Sequence, residues 1–123
     1  KNKNVKIVGR IVKAEIVSTD GICFNFNVIC GDGRGTHDYI EICNTYKYVF
    51  IYNLVEFDES NEDMARRFIA LIDECYDQNV HVVILATKDF KDIYQGKRLA
   101  FEFQRTISRI NDMQNADFGV KNV

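Results

Sequence analysis

Arg105 and Arg109 stand one helical turn apart in a run whose apolar residues, Leu99, Phe103, Ile107 and Ile110, repeat at helical spacing. Both guanidiniums therefore share the polar side of one helix, with Arg98, Glu102 and Asp112. Like charges at that spacing repel, and two arrangements offset the repulsion. One is ion pairing with Glu102 and Asp112. The other is an anion from outside, phosphate above all, because the planar guanidinium fork fits it. Arg66 and Arg67 pose the same question, but Glu62 and Asp63 stand four residues upstream, so i,i+4 pairs are the simpler account there. Lys88 is the remaining basic candidate. It follows the apolar run of residues 82–85 at its carboxyl end, where α/β sheets place ligands.

No catalytic residue and no metal site is predicted. His37 and Asp38 have no serine or cysteine nucleophile placed by a local motif, and His81 opens a buried strand. Asp58 and Glu59 fall too far past the strand at residues 48–52 to serve as the magnesium-binding acid of a nucleotide hydrolase. Gly31, Asp32, Gly33, Arg34 and Gly35 resemble a phosphate cradle in composition only. Thr36, His37 and Asp38 stand where a Lys-Ser/Thr pair would have to hold phosphate and magnesium, so the loop reads as a connector. Cys23, Cys30, Cys43 and Cys75 show no C-x-x-C spacing and lie among apolar neighbours, as reduced core thiols in a reducing compartment do.

The whole composition narrows the partners. Sixteen basic and 18 acidic residues nearly cancel, so no net field recommends nucleic acid or an anionic membrane. No apolar run approaches the ~20 residues of a spanning helix and no signal peptide is evident, so the chain is expected to be soluble and cytoplasmic. Its 123 residues, 46% hydrophobic, suit one domain with a substantial core. Not one of them is proline, for which composition offers no account.

The elements that must position these residues read as an α/β domain with a mixed sheet. Residues 1–30 are expected to hold a β-hairpin, with a bulge or bend at Gly9 and a turn at Thr19, Asp20 and Gly21. A short helix capped by Thr36 spans 36–47. Residues 48–87 form a right-handed parallel strand-helix-strand unit whose two strands are apolar enough to be buried on both faces. Ser60 is the expected cap of its helix, Met64, Phe68, Leu71, Ile72, Cys75 and Tyr76 its buried stripe, and Asn79 its terminator. The arginine-bearing helix occupies 97–114, and residues 115–123 form a loosely held tail.

Several runs carry a resemblance to a known family. Residues 65–73, Ala-Arg-Arg-Phe-Ile-Ala-Leu-Ile-Asp, with Tyr76, are the first. Residues 94–110, Tyr-Gln-Gly-Lys-Arg-Leu-Ala-Phe-Glu-Phe-Gln-Arg-Thr-Ile-Ser-Arg-Ile, with Met113 and Gln114, are the second. Together with Val8-Gly-Arg10, Phe24, Phe26, Cys30, Arg34-Gly35, Asp38-Tyr39 and the strand at 49–51, they closely resemble the carboxyl-terminal part of the ZapE family. These are bacterial cell-division P-loop ATPases of the AAA type with mitochondrial AFG-one-like relatives. The resemblance implies a P-loop-ATPase-like portion of a larger enzyme that uses ATP and magnesium. It also implies that the Walker A and Walker B motifs precede this region, so the 123 residues alone should neither bind ATP nor hydrolyse it. The partners it implies are the ATPase core of its own chain and the division protein FtsZ, at the inner face of the septum. It admits an oligomer and a peripheral association with the inner membrane. The sequence departs from the family where prolines are usual, at residues 53–57 and 88–90. A non-catalytic adaptor domain is the alternative function.

Overall fold

The computed structural model describes residues 3–7, 10–14 and 16–113. Two antiparallel strands, β1 (Lys3–Ile7) and β2 (Arg10–Ala14), form a ladder of their own, with Ile7 opposite Arg10. A second sheet contains β3 (Ile16–Val17), β4 (Gly21–Asn25), β5 (Tyr48–Leu54) and β6 (His81–Ala86), side by side in that order. The β3–β4 pair is antiparallel, whereas β4–β5 and β5–β6 are parallel. The expected hairpin region thus holds two antiparallel pairs. Its last strand joins the parallel sheet directly, a pairing that periodicity does not reveal. Val28, expected in a strand, instead lies in α1 (Phe26–Ile29), where the Asn25 side chain accepts the Asn27 N–H at 3.0 Å and turns the chain. The expected bend at Gly9, the last residue of the 97–114 helix and the tail lie outside the described residues.

Helices connect the parallel strands. α2 (Thr36–Thr45) joins β4 to β5, α3 (Glu62–Asp77) joins β5 to β6, and the short α4 (Phe90–Ile93) precedes α5 (Ala100–Met113). Two caps differ from expectation. Gly35, not Thr36, is the N-cap of α2, and Asp38 reaches back to accept the Gly35 N–H at 2.9 Å. Ser60 does not cap α3; its N–H and hydroxyl both go to Asp58, and Asn61 occupies the cap position. Asn79 ends α3 as predicted, in the left-handed region at φ 59°.

The core lies between the sheet and the helices. Phe24, Val49 and Ile51 point into it from the strands, and Phe68, Leu71, Ile72 and Cys75 meet them from α3. An aromatic cluster closes the end nearest α5. Phe57 packs edge-on against Phe26 and Phe103, with ring centroids 5.5 and 5.7 Å apart, and Phe103 stacks on Tyr94 at 5.1 Å. All four cysteines are free thiols, and three are buried. Burial pushes the Cys30 thiol up to about 12, and the Cys43 sulfur 3.2 Å away raises that of Cys75, so both stay protonated and inert.

One expectation about the strands fails. The parallel strands are buried on one face only: Tyr48 and Phe50 of β5 and Val83 and Leu85 of β6 are exposed. Strand order gives the reason. Chain order and spatial order coincide from β4 to β6, so crossovers of one hand place α2 and α3 on the same side. Nothing among the described residues covers the other.

Candidate functional site

α3 and α5 lie against each other through Phe68 and Phe103, whose rings stack 6.1 Å apart. That contact brings the polar flank of α5 over Asp73. Arg109 donates through Nη1 to Asp73 Oδ1, and Arg105 reaches Oδ2 from 3.5 Å. The guanidinium of Arg109 also lies 4.9 Å from the centre of the Tyr76 ring, a cation–π contact, while the Tyr76 hydroxyl donates to Asp112 at 3.2 Å. Sequence reasoning puts the two arginines on one side of one helix and offers Glu102 and Asp112, or an anion from outside, as what offsets their repulsion. Among the described residues both pair with Asp73, on another helix. Its only sequence signal is an acid directly beside the apolar stripe of α3, at the edge where a second helix packs.

The two arginines are held differently. Arg109 is half-buried, gripped by a close carboxylate and an aromatic face, so turning it outward would break both contacts. Arg105 is 47% exposed and its contact with Asp73 is long, which makes it a weak surface pair. At this contact two guanidiniums meet one carboxylate. The arrangement therefore offers one anchored arginine and one that can turn towards an outside anion without leaving Asp73 unpaired.

The other basic candidates lie apart from this pair. Arg67 crosses to the loop before α2, donating to the Cys30 carbonyl at 3.4 Å and to Asp32 at 3.3 Å, not to Asp63. That contact supports the connector reading of the glycine loop. Arg66 is exposed on α3. Lys88 lies at the carboxyl end of β6 in a polar cleft of about 730 Å³ with Glu56, Asp89 and Asp92, and its ammonium pairs with Glu56 at 2.9 Å. Three acids around one lysine disfavour phosphate there. The segments expected to depart from the family pattern meet at this cleft, where the Thr87 N–H donates to the Leu54 carbonyl at 3.0 Å.

Glu62 is the residue that sequence reasoning most misplaced. It does not serve Arg66 but holds the start of α5: Oε2 accepts the N–H groups of Lys97 and Arg98 at 3.0 and 3.1 Å, and Oε1 accepts the Tyr94 hydroxyl at 2.5 Å. The Tyr94 oxygen in turn accepts the Leu99 N–H at 2.7 Å. Orphan amides before a helix are thus satisfied by a carboxylate from another helix. The Tyr94 hydroxyl, followed by the Lys97 amide, holds the Glu62 carboxyl below the ordinary carboxylate range. Gly96 makes the closure possible. A Cβ there would lie 2.7 Å from the Tyr94 hydroxyl and 2.8 Å from Glu62 Oε1. Beside this cluster Glu59 and Lys97 pair at 3.1 Å across a cleft of about 430 Å³. No group of acids, cysteines and histidines among the described residues could hold a metal ion, and no helix there is long and apolar enough to cross a membrane.

Comparison with known proteins places this chain in a family. Over 102 residues the chain is 38% identical to the cell division protein ZapE of Escherichia coli strain K12, covering 83% of this chain and 27% of that protein. It is 30% identical over 128 residues to lactation elevated protein 1 homolog B of Danio rerio, covering 78% of this chain and 25% of that protein. An uncharacterized protein of Schizosaccharomyces pombe, C115.02c, is 23% identical over 90 residues, covering 73% of this chain and 20% of that protein. The chain spans about a quarter of the length of the first two relatives. No solved structure matches it. The sequence profile of the AFG1-like ATPase family matches residues 1–122, and the chain belongs to that family.

Proposed function

We propose that this chain is the carboxyl-terminal α/β region of a longer ZapE-like protein that hydrolyses ATP with magnesium and acts in cell division. The observation that carries this reading is the family match across residues 1–122, together with 38% identity to a protein named for cell division. Within the 123 residues there is no Gly-x-x-x-x-Gly-Lys-Ser/Thr run, so the phosphate-cradling loop belongs to another part of the polypeptide. On this reading the chain packs against the ATPase core of its own polypeptide as a P-loop-ATPase-like portion. Arg105 then serves a phosphate or a neighbouring subunit, and Arg109, pinned by Asp73 and Tyr76, sets the position of α5. A contact with FtsZ at the inner face of the septum, and a peripheral place at the inner membrane, belong to the same proposal.

The test is ATP turnover by the full-length protein with Arg105→Lys and Arg109→Lys together. Lysine keeps the charge and loses the planar fork, so turnover should fall by at least ~10-fold while the protein stays folded. The adaptor reading has one observation in its favour: both arginines already reach Asp73. If it holds, the double variant hydrolyses ATP at the parental rate and its stability changes by less than ~1 kcal/mol.

A further inference from the structure

The bare face of the parallel sheet is unusual. Tyr48 and Phe50 of β5 and Val83 and Leu85 of β6 point away from all the helices, and Leu85 is 68% exposed. Phe50, Tyr52, Val83 and Leu85, with Cys23 of β4, line an open groove of about 390 Å³ that presents almost no polar surface. Parallel strands of this composition are ordinarily covered on both faces by helices. Here strand order runs one way from β4 to β6, so the chain's own crossovers cannot supply the second layer. β6 also has only one strand neighbour among the described residues, which leaves the sheet open on that side.

From this we infer that the face bearing Phe50, Tyr52, Val83 and Leu85 is the surface on which the rest of the longer polypeptide packs, through the apolar side of one or more of its helices. The inference rests on the proposal that the chain is part of such a polypeptide. It goes further by naming the face and what covers it. The matched relatives are about four times as long as the segment aligned here, so ample chain exists to form the missing layer. That chain is also covalently attached. An attached segment acts at an effective concentration of about millimolar, which a second copy at cellular concentration does not reach. A small ligand is a poorer occupant, since ligand sites place a few convergent polar groups in their apolar walls and this groove has almost none. The opposite face needs no partner, being already filled by α2, α3 and α5.

Hydroxyl-radical footprinting of the unmodified full-length protein, read by mass spectrometry, tests this without any substitution. Oxidation of Leu85 and Phe50 should be at least ~10-fold slower in the native protein than in the same protein unfolded in guanidinium, and dilution should not change it. Oxidation close to the unfolded rate at both residues overturns the inference. Protection that disappears on dilution, together with a shift from dimer to monomer, overturns it in favour of a second copy. The parent proposal fails in a different way: cells would contain a product no longer than these 123 residues. The lysine substitutions at Arg105 and Arg109 leave the footprint unchanged whichever way they affect turnover.

Discussion

Phe103 is the side chain through which α5 is held, and replacing it with alanine tests that role. Its ring is 1% exposed and touches three others: Tyr94 stacked at 5.1 Å, Phe57 edge-on at 5.7 Å and Phe68 stacked at 6.1 Å. Truncating a buried phenylalanine to alanine costs ~3–5 kcal/mol in lost transfer and residual cavity. Rigid aromatic neighbours limit collapse of the site, so the upper half of that range applies, about 4–5 kcal/mol. A domain of 123 residues has roughly 6–18 kcal/mol in total, so the loss is a large fraction of it. With a urea slope of about 1.5 kcal/mol/M, the midpoint should fall by about 3 M. Phe103→Leu keeps most of the apolar volume but loses the ring contacts, and should fall by about half as much. The assay is urea unfolding followed by far-ultraviolet circular dichroism. If Phe103→Ala moves the midpoint by less than ~0.7 M with an unchanged slope, α5 is not held by this ring and the account of the arginine site loses its support.

Leu71→Ala, at the fully buried centre of α3, should cost ~2–5 kcal/mol in the same assay. Under ~0.5 kcal/mol would place Leu71 at the surface. Glu62 has a folded pKa below its ordinary 4.5, so the stability it contributes is complete above that value and is lost as pH falls through the lowered folded value. Glu62→Gln should therefore lower the melting temperature at pH 7 and narrow the gap to the parent protein as pH is taken down towards 3; a gap independent of pH would refute the role. Gly96→Ala should cost ~1–3 kcal/mol, because its Cβ meets the Tyr94 hydroxyl and Glu62, and a neutral effect would show that cluster to be loose.

Much of the core was legible because it is written at short range. The stripe of Phe68, Leu71, Ile72 and Cys75, the stop at Asn79 and the parallel pairing of β5 with β6 each follow from spacing, cap chemistry and connection length. The arginine pair was legible as a pair for the same reason. Its partner was not, because Asp73 lies 32 and 36 residues from Arg105 and Arg109. Glu62 was hidden twice over. An acid at the first turn of a helix has a sufficient local explanation in the helix dipole, and the i,i+4 arginine supplied another. Only the fold shows that its carboxylate faces the amides of Lys97 and Arg98 instead. The capping errors at Thr36 and Ser60 are of the same kind: Asp38 takes the Gly35 amide at the start of α2, and the Ser60 hydroxyl is spent on Asp58.

The expectation that failed most plainly also says the most about the protein. Tyr48, Phe50, Val83 and Leu85 have the composition of strands that face a second apolar layer, and among the described residues they face none. The composition rule behind that reading is physical. Each alternate residue of a parallel strand is selected by what covers it, and water selects polar side chains. An exposed row of leucine, valine and aromatic residues on β5 and β6 is therefore what the inferred packing surface predicts. Scattered exposed apolar side chains would need no such explanation, but these lie on adjacent paired strands and form one groove. Topology points the same way from an independent premise, because right-handed crossovers in a sheet that adds strands in one direction place their helices on one face. Composition and strand order agree, and each points to the same uncovered face of the sheet, the one carrying Phe50, Val83 and Leu85.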